Sequence, residues 1–277
     1  MWEMTDMSPL VIILCAVAGS LLFLGLLYLL VLVRPRRKAP DPTLLCDYAH
    51  RGLHGGGIPE NSMAAFARAC EAGYGIELDV QLSRDGEVMV FHDYTLTRMT
   101  GVDRKLCELT AAELQALSLG GTAETVPTFS EVLELVDGRV PLLVELKGES
   151  LDTALCAKVA SLLKDYHGAY CLESFNPLLI GKMGKHLPRA YRGLLYTNVC
   201  RDKKKYSPLN LVITAMLLNG LAKPHFIACN YLDRRALPVR ITTGLYGAPR
   251  FVWTVRDQAE FCKARRLGEY PIFEKVQ

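Results

Sequence analysis

The chain has 277 residues, of which 22% are charged and 50% hydrophobic, and its formal net charge is +3. This composition excludes a disordered or collagen-like chain and favours one sizeable globular domain with an accessory segment. The small, scattered net charge does not indicate nucleic-acid binding. The nine cysteines stand singly without a CxxC pair, which argues against a disulfide framework or a zinc site and fits a reducing compartment.

The accessory segment is the N-terminal region, residues 1–33. Leu10–Val33 contains no charged residue and, as a helix, would span roughly 36 Å, enough to cross a bilayer core. Glu3 and Asp6 precede this stretch, whereas the basic run Arg34–Lys38 follows it. Because positive flanks face the cytoplasm, we predict a single-pass membrane protein whose remaining chain lies on the cytoplasmic side. The missing basic n-region disfavours a cleavable signal peptide.

Residues 34–43 contain three prolines and the basic run, and we interpret them as a linker to a globular domain at 44–277. Alternating and continuous apolar patterns in that domain predict eight strands: Leu44–Ala49, Gly75–Ser83, Glu87–His92, Pro141–Lys147, Ala169–Ser174, Tyr191–Tyr196, His225–Asn230 and Arg250–Val255. Predicted helices lie between them: one capped by Asn61 or Ser62 and ending near Ala72, then Ala111–Ser118, Phe129–Val136, Asp152–Tyr166, Pro177–His186, Pro208–Leu221, Asp233–Leu237 and Gln258–Arg266.

Repeated strand–helix units with short connections predict an α/β fold with a parallel sheet, and seven or eight such units suit a closed (β/α)₈ TIM barrel. An open doubly wound sheet is the alternative, although no glycine fingerprint follows a strand and opens a helix. In a barrel, functional residues gather at the C-terminal ends of the strands.

The stretch from His50 to Asp93 is the richest in chemistry. Strand alternation places Glu77, Asp79 and Gln81 on one face of their strand. Two buried carboxylates repel each other and lose hydration, a cost that a divalent cation removes, and Mg²⁺ and Ca²⁺ prefer oxygen ligands. Nearby histidines for proton transfer and an arginine for an anion complete a set of groups suited to phosphodiester chemistry.

These residues resemble a known family. His50-Arg51, Pro59-Glu60-Asn61-Ser62, Glu77-x-Asp79, His92-Asp93, Glu145-Leu146-Lys147, Glu173-Ser174-Phe175 and Trp253-Thr254-Val255 are together similar to the signature of the glycerophosphodiester phosphodiesterases. The resemblance implies a TIM barrel with a small insertion after the second strand, and one divalent cation, Mg²⁺ or Ca²⁺. It also implies hydrolysis of glycerophosphodiesters to sn-glycerol 3-phosphate and an alcohol, or of lysophospholipids by a lysophospholipase D reaction.

The resemblance also assigns roles to individual residues. It implies metal binding by Glu77, Asp79 and Glu145, acid–base catalysis by His50 and His92, and phosphate contacts by Arg51 and Lys147. Three further residues are candidates for contact with the substrate or for support of the metal ligands: Glu60, Glu173 and Trp253. Which histidine is the acid, and whether water or a substrate hydroxyl attacks, the sequence leaves open.

The family pattern fails at the C-terminal end, where the chain reads Tyr270-Pro271-Ile272-Phe273-Glu274. We therefore expect a shortened or diverged eighth barrel strand and an uncertain closure of the barrel. Another open region is Leu209–Leu221, which has few polar positions. It is either an outer helix of the barrel or a helix in the membrane interface, with the lysines of 201–205 on anionic headgroups.

Two other functions stay open at the sequence level. One is a phosphatidylinositol-cleaving phospholipase, a class that also has the barrel and a histidine pair. Glu77-x-Asp79 favours the glycerophosphodiester phosphodiesterase over this alternative. A non-catalytic module that binds lipid headgroups is the alternative from a different class. Expected partners are a glycerophosphodiester or lysophospholipid substrate and membrane lipid, and no feature points to nucleic acid or to a protein partner.

Overall fold

Eight parallel strands form a closed barrel in the computed structural model, which describes residues 9–148 and 154–274. Nine strands are present in the described chain, and β3 pairs antiparallel with β2 outside the barrel. The strands are β1 Tyr48–Ala49, β2 Gly75–Leu82, β3 Val88–Val90, β4 Leu142–Leu146, β5 Tyr170–Glu173, β6 Tyr191–Tyr196, β7 Phe226–Asn230, β8 Arg250–Val255 and β9 Tyr270–Phe273. The predicted TIM barrel is confirmed.

The barrel closes between its first and last strands. Tyr48 of β1 pairs with Gly75 of β2 on one side and with Ile272 of β9 on the other. The expected uncertainty at the eighth barrel strand is therefore resolved in favour of closure, because the apolar run Tyr270–Phe273 supplies a short parallel strand. Pro271 has no N–H to donate, which this short strand tolerates.

Twelve α-helices occur in the described residues, and the longer ones after α1 flank the barrel. They are α1 Pro9–Leu27, α2 Met63–Ala72, α3 Thr97–Thr100, α4 Ala111–Gln115, α5 Phe129–Val136, α6 Ala154–Lys164, α7 Pro177–His186, α8 Val199–Asp202, α9 Pro208–Thr214, α10 Asn219–Ala222, α11 Leu237–Arg240 and α12 Gln258–Arg266. Several begin at side-chain caps: the Ser62 hydroxyl accepts from the Ala65 N–H, and Thr128 forms a capping box with Glu131. The first residues predicted for α6 lie outside the described residues.

Strand alternation separates two layers of core. Leu143 of β4 points inward and packs with Phe226 and Phe251 in the barrel interior. Its neighbours Leu142 and Val144 point outward and pack under the helices. Glu145, two residues after Leu143, therefore points inward as well, near the C-terminal end of the strand. This alternation carries polar side chains to one end of the barrel above an apolar floor.

A compact insertion of residues 91–126 follows β3. Its side chains form a separate apolar cluster that includes Phe91, Leu96, Leu106, Leu114 and Val126. The cluster holds the segment against the β2–β3 hairpin and thereby fixes the loop that carries His92. The small insertion implied by the family resemblance is confirmed.

Three element predictions are wrong in detail. The predicted strand Leu44–Ala49 is only Tyr48–Ala49, because Asp41 caps a 3₁₀ turn at Pro42–Leu44 that includes its first residue. The predicted helix Pro208–Leu221 is two short helices, α9 and α10, interrupted near Met216, whose φ of 54° is not helical. The region 231–240 holds a 3₁₀ turn, Tyr231–Asp233, followed by α11.

The N-terminal helix stands away from the barrel. Pro9–Leu32 is apolar over 24 residues, and none of its most apolar window is buried. The helix ends in a π-helical turn, Tyr28–Leu32, that contacts α10. Val33 is fully buried against the barrel, so the residues after the helix are fixed to the domain.

Candidate active site

A cavity of about 450 Å³ opens at the C-terminal ends of the barrel strands. Eight of the ten residues assigned from the sequence line it: His50, Arg51, Glu77, His92, Glu145, Lys147, Glu173 and Trp253. Asp79 lies fully buried behind this surface, and Glu60 lies beside it in an ion pair with Arg51. The structure thus brings all ten together, although they span about 200 residues of sequence.

Three buried carboxylates form the floor of the site. Glu77 and Asp79 leave the inner face of β2, and Glu145 is the β4 partner of Asp79 in the parallel register. Each offers an oxygen within 4.8 Å of the others. Burial and the charges of Asp79 and Glu145 raise the pKa of Glu77 well above its usual range, and burial raises the pKa of Glu145 to about 7.

Two fixed cations partly balance these carboxylates. The Lys147 ammonium lies 2.8 Å from a Glu145 oxygen and 3.0 Å from an Asp79 oxygen. The Arg51 guanidinium lies 3.5 Å from the other Asp79 oxygen. Although burial opposes its ionisation, Lys147, His92 and Arg51 hold the pKa of Asp79 well below its usual range.

The turn after β1 aims the backbone of Arg51 into the site. Arg51 has a φ of 55°, an unusual conformation for a residue with a side chain. In this conformation its N–H donates to a Glu77 oxygen at 2.9 Å, while its side chain donates to Glu60 at 2.7 Å. Asn61, also at positive φ, donates its amide to Asp79 at 2.8 Å. The Pro59–Ser62 motif therefore orients the carboxylate floor as well as capping α2.

His50 is held by a residue that the sequence analysis did not identify. Its Nδ1 is 2.6 Å from an oxygen of Glu274, and its Nε2 is 3.8 Å from a Glu77 oxygen. Burial lowers the pKa of His50, and the hydrogen bond to Glu274 opposes that shift. Arg256 in turn donates to the second Glu274 oxygen at 2.9 Å. Glu274 follows β9 directly, which places it beside the end of β1.

His92 is held by its neighbour in sequence. Its Nδ1 is 2.6 Å from an Asp93 oxygen, and Arg98 donates to the other Asp93 oxygen at 2.6 Å. The Gln81 amide donates to the backbone carbonyls of residues 91, 92 and 93, which fixes the loop. Each histidine thus has one ring nitrogen engaged by a carboxylate.

The three candidates for substrate contact or ligand support, Glu60, Glu173 and Trp253, lie at different places in the site. Glu60 pairs with Arg51 and with Arg98 at 2.6 Å, so it braces the two arginines. Glu173, the last residue of β5, is buried, and its Oε2 has no hydrogen-bond partner among the described residues. Trp253 donates its indole N–H to the Ala228 carbonyl at 2.9 Å and forms part of the cavity wall.

The donor set fits a hard divalent cation. Carboxylate oxygens are the ligands that Mg²⁺ and Ca²⁺ prefer, and three converge here. Glu173 adds a fourth buried carboxylate, whereas Arg51 and Lys147 provide only two fixed positive charges. Two further positive charges would balance the cluster, and the unpartnered Glu173 oxygen is a further donor at its edge.

Sequence reasoning missed four supporting residues: Gln81, Asp93 as the partner of His92, Arg98 and Glu274. Asp93 stood in the His92-Asp93 motif, but its contact depends on side-chain geometry. Glu274 had one signal, its position directly after an apolar run that ends a strand.

The C-terminal ends of the barrel strands thus present two carboxylate-bound histidines, an acidic cluster and two cationic side chains suited to binding a phosphate. This arrangement is that of a phosphodiester-cleaving enzyme of the TIM-barrel class. The model of the "Glycerophosphoryl diester phosphodiesterase family" matches residues 50–274. The chain belongs to this family and is a phosphoric diester hydrolase.

Several relatives span much of the chain. A glycerophosphodiester phosphodiesterase from Caldanaerobacter subterraneus is 36% identical over 159 residues, covering 53% of this chain and 65% of its own length. The rat lysophospholipase D GDPD1 is 29% identical over 261 residues, covering 79% of this chain and 80% of its own. An Oleispira antarctica phosphodiesterase, solved with sn-glycerol-3-phosphate, has a TM-score of 0.67 at 23% identity and covers 83% of this chain and 92% of its own. The last likeness supports the fold.

Proposed function

We propose that the chain hydrolyses glycerophosphodiesters to sn-glycerol 3-phosphate and an alcohol, with a divalent cation at Glu77, Asp79 and Glu145. The observation that carries this proposal is that His50 and His92, each bound to its own carboxylate, line one cavity with the acidic cluster. The Caldanaerobacter relative and the product-bound Oleispira structure bear names of the same activity.

The proposed mechanism divides the work among the chain's own residues. A divalent cation on the three carboxylates would supply Lewis acidity toward the phosphoryl group. Arg51 and Lys147 contact nonbridging oxygens, where negative charge gathers during the reaction. With Nδ1 engaged by Glu274 or Asp93, each histidine keeps Nε2 to exchange a proton. One accepts the proton of the attacking water or substrate hydroxyl, and the other donates a proton to the leaving alcohol.

The test uses the full chain in lipid nanodiscs, stripped with EDTA and resupplied with Mg²⁺ or Ca²⁺. Glycerophosphocholine is the substrate, and sn-glycerol 3-phosphate is the measured product. We expect turnover only after metal is restored and a loss of about 10²–10⁴-fold in His50→Ala and His92→Ala. The matched control is His186→Ala, because His186 is exposed at the end of α7. Headgroup binding without turnover by the metal-loaded parent would favour the non-catalytic module instead.

A second candidate is lysophospholipase D activity, and one observation favours it. The cavity lining also includes large apolar side chains, namely Phe175, Leu195, Trp253 and Ile272. Such a wall suits a substrate with an acyl chain, and the rat relative is named for this activity. Lysophosphatidylcholine assayed beside glycerophosphocholine separates the two, because the former would yield lysophosphatidic acid and the latter sn-glycerol 3-phosphate.

We also propose that α1 crosses a membrane as a single span, with the barrel on the cytoplasmic side and residues 34–43 as the linker. The supporting observations are the exposed 24-residue apolar helix and the basic run that follows it. Intact cells treated with a membrane-impermeant maleimide test the side. Exposed Cys107 and Cys262 should react only after the membrane is opened; labelling in intact cells would reverse the orientation.

A further inference from the structure

Residues 28–36, which follow α1, lie against residues 215–224 on one flank of the barrel, and the two segments run in the same direction. Three hydrogen bonds join the two segments: Tyr28 Oη to the Ala215 carbonyl (3.1 Å), Asn219 Nδ2 to the Val33 carbonyl (2.8 Å) and Arg36 N–H to the Pro224 carbonyl (2.7 Å). Residues 28–36 therefore accompany residues 215–224 in the same direction.

This pairing gives α1 a direction relative to the active site. Pro224 lies just before the start of β7, and Lys38 donates to the carbonyl of Arg189, just before the start of β6. The chain thus approaches the N-terminal ends of the strands as it leaves the anchor. Traced backwards, α1 projects toward the C-terminal ends, where the catalytic cavity opens. Its 19 residues extend about 28 Å in that direction.

The surface at that end of the barrel is both apolar and basic. We call residues 199–214 the rim segment. It exposes Tyr206, Leu209 and Leu211, the first of them to 78%. Arg201 and Lys203–Lys205, all exposed, stand beside these apolar side chains. Exposed apolar side chains flanked by basic residues are typical of surfaces that rest in a membrane interface.

The rim segment is fixed beside the cavity mouth. Arg201 forms an ion pair with Asp233 at 2.6 Å, which binds the segment to the turn after β7. Leu232 of that turn lines the cavity and is 76% exposed. The apolar surface of the rim segment is therefore continuous with the mouth of the site.

A small apolar cleft lies between the flank that binds the anchor and the catalytic cavity. Phe175 and Leu195 line both the cleft and the cavity. The cleft is also lined by Ile213, Met216 and Leu218. These residues flank Ala215 in sequence, whose carbonyl accepts the hydrogen bond from Tyr28.

We propose that the rim segment rests on the anionic leaflet of the bilayer that holds α1, so that the catalytic cavity opens against the membrane and receives diesters lying in the lipid surface. This inference rests on the proposed membrane insertion of α1, and its role in catalysis rests on the proposed hydrolysis. It gives the anchor a second task, because the docked residues 28–36 set which face of the barrel meets the lipid.

Fluorescence quenching tests the orientation without reference to activity. The full chain carrying Trp2→Phe is placed in nanodiscs with 30% phosphatidylserine and lipids brominated on the acyl chains. Single tryptophans are added as Leu209→Trp in the rim segment, Leu21→Trp in the anchor and Leu267→Trp near the N-terminal end of β9. Leu267 is a matched control because it is also an exposed leucine, at 57%.

We expect the brominated lipid to quench Leu209→Trp and Leu21→Trp at least twofold more than Leu267→Trp, above the background from Trp253. Quenching of Leu209→Trp that does not exceed that of Leu267→Trp, with Leu21→Trp quenched, overturns the orientation alone. An unquenched Leu21→Trp overturns membrane insertion and this inference with it.

A second measurement tests delivery of substrate. Leu209→Glu combined with Leu211→Glu should slow turnover of lysophosphatidylcholine in the bilayer about tenfold. Turnover of soluble glycerophosphocholine should be unchanged, and Leu267→Glu should change neither rate. Unchanged lysolipid turnover in the double variant overturns the role of the rim in delivery. A parent inactive on both diesters contradicts the proposed function, while the quenching result still decides the orientation.

Discussion

The two sides of the catalytic cavity are built in opposite ways. On the side of β1, β2, β4 and β5, the cavity residues are mostly charged, and most of them have a charged partner, as Lys147 has in Asp79 and Glu145. Along the wall from the end of β5 to β8, apolar side chains such as Leu195 stand among polar ones, and Phe175 meets Trp253 edge to face with ring centres 5.6 Å apart. The first side carries the groups that we propose break the phosphodiester bond, and the second carries the apolar side chains that we propose select the substrate.

The difference has a physical cause. Buried charges are costly unless paired, so each catalytic group needs supporting residues, and few substitutions are tolerated. Apolar walls tolerate many side chains of suitable volume. We therefore expect most of a recognisable motif on the charged side, and only Phe175 and Trp253 of the apolar wall stand in the motif pieces quoted above.

The largest expected effect comes from Glu77→Gln on the charged side. Activity with glycerophosphocholine should fall about 10³-fold or more, because Gln keeps an acceptor for the Arg51 N–H but lacks the negative charge that binds the metal. In EDTA the thermal midpoint should be unchanged or higher, because one of the mutually repelling buried carboxylates is removed. Product assays measure the activity, and calorimetry with and without Mg²⁺ measures the thermal midpoint. Glu134→Gln, exposed on α5, is the control; a large destabilisation in EDTA would contradict this account of the cluster.

Glu274→Gln should lower kcat about 10- to 100-fold, because His50 keeps a hydrogen bond but loses the charge that stabilises its protonated form. Arg256→Gln is the matched comparison. Arg256 contacts the other oxygen of Glu274, so its loss should cost less than tenfold. Steady-state kinetics show which variant loses more kcat. A larger loss in Arg256→Gln than in Glu274→Gln would indicate that Arg256 contacts the substrate directly and does not act through Glu274.

Phe175→Ala on the apolar side should raise KM for lysophosphatidylcholine roughly five- to tenfold and change kcat for glycerophosphocholine less than twofold. Leu178→Ala is the control, since Leu178 is exposed to a similar extent but lies outside the cavity. Equal effects on both substrates would show that the apolar side does not discriminate between them.

The smallest effect concerns stability beneath the apolar side. His225 is buried, and burial together with Arg192, Lys38 and Arg36 lowers its pKa to about 3. Its Nδ1 accepts the Arg192 N–H at 3.0 Å. Because its folded pKa is depressed below the unfolded value near 6.5, its contribution is present above that pH and is lost as the pH falls toward 3.

Between pH 6.5 and 5 this residue should therefore account for a loss of roughly 2 kcal/mol in the free energy of unfolding. His225→Asn keeps an acceptor for the Arg192 N–H and should remove that part of the pH dependence. Urea unfolding of both proteins in detergent micelles measures the difference. Parallel pH profiles would show that His225 does not contribute.

Local sequence was sufficient to predict most of the charged side. Glu77 and Asp79 alternate along one strand, and His92 follows the next strand by a short turn, so spacing alone indicated that they converge. The order of strands and helices in the barrel could be predicted for the same reason, because each element carries its own periodic pattern.

Contacts between distant residues could not be predicted in this way. Glu274 is 224 positions from His50 and meets it only because β9 pairs with β1. The break between α9 and α10 depends on the positive φ of Met216, for which a methionine in an apolar run gives no signal. The docking of residues 28–36 depends likewise on tertiary packing.

Closure of the barrel by β9 also determines when the enzyme becomes active during synthesis. The anchor, both histidines and all the proposed metal ligands precede residue 146, so they leave the ribosome long before the strand that completes the barrel. Until Tyr270–Phe273 pairs with β1 and brings Glu274 to His50, the nascent chain lacks the partner that orients one of its two proposed proton-transfer groups. We therefore expect chains truncated before β9 to be inactive.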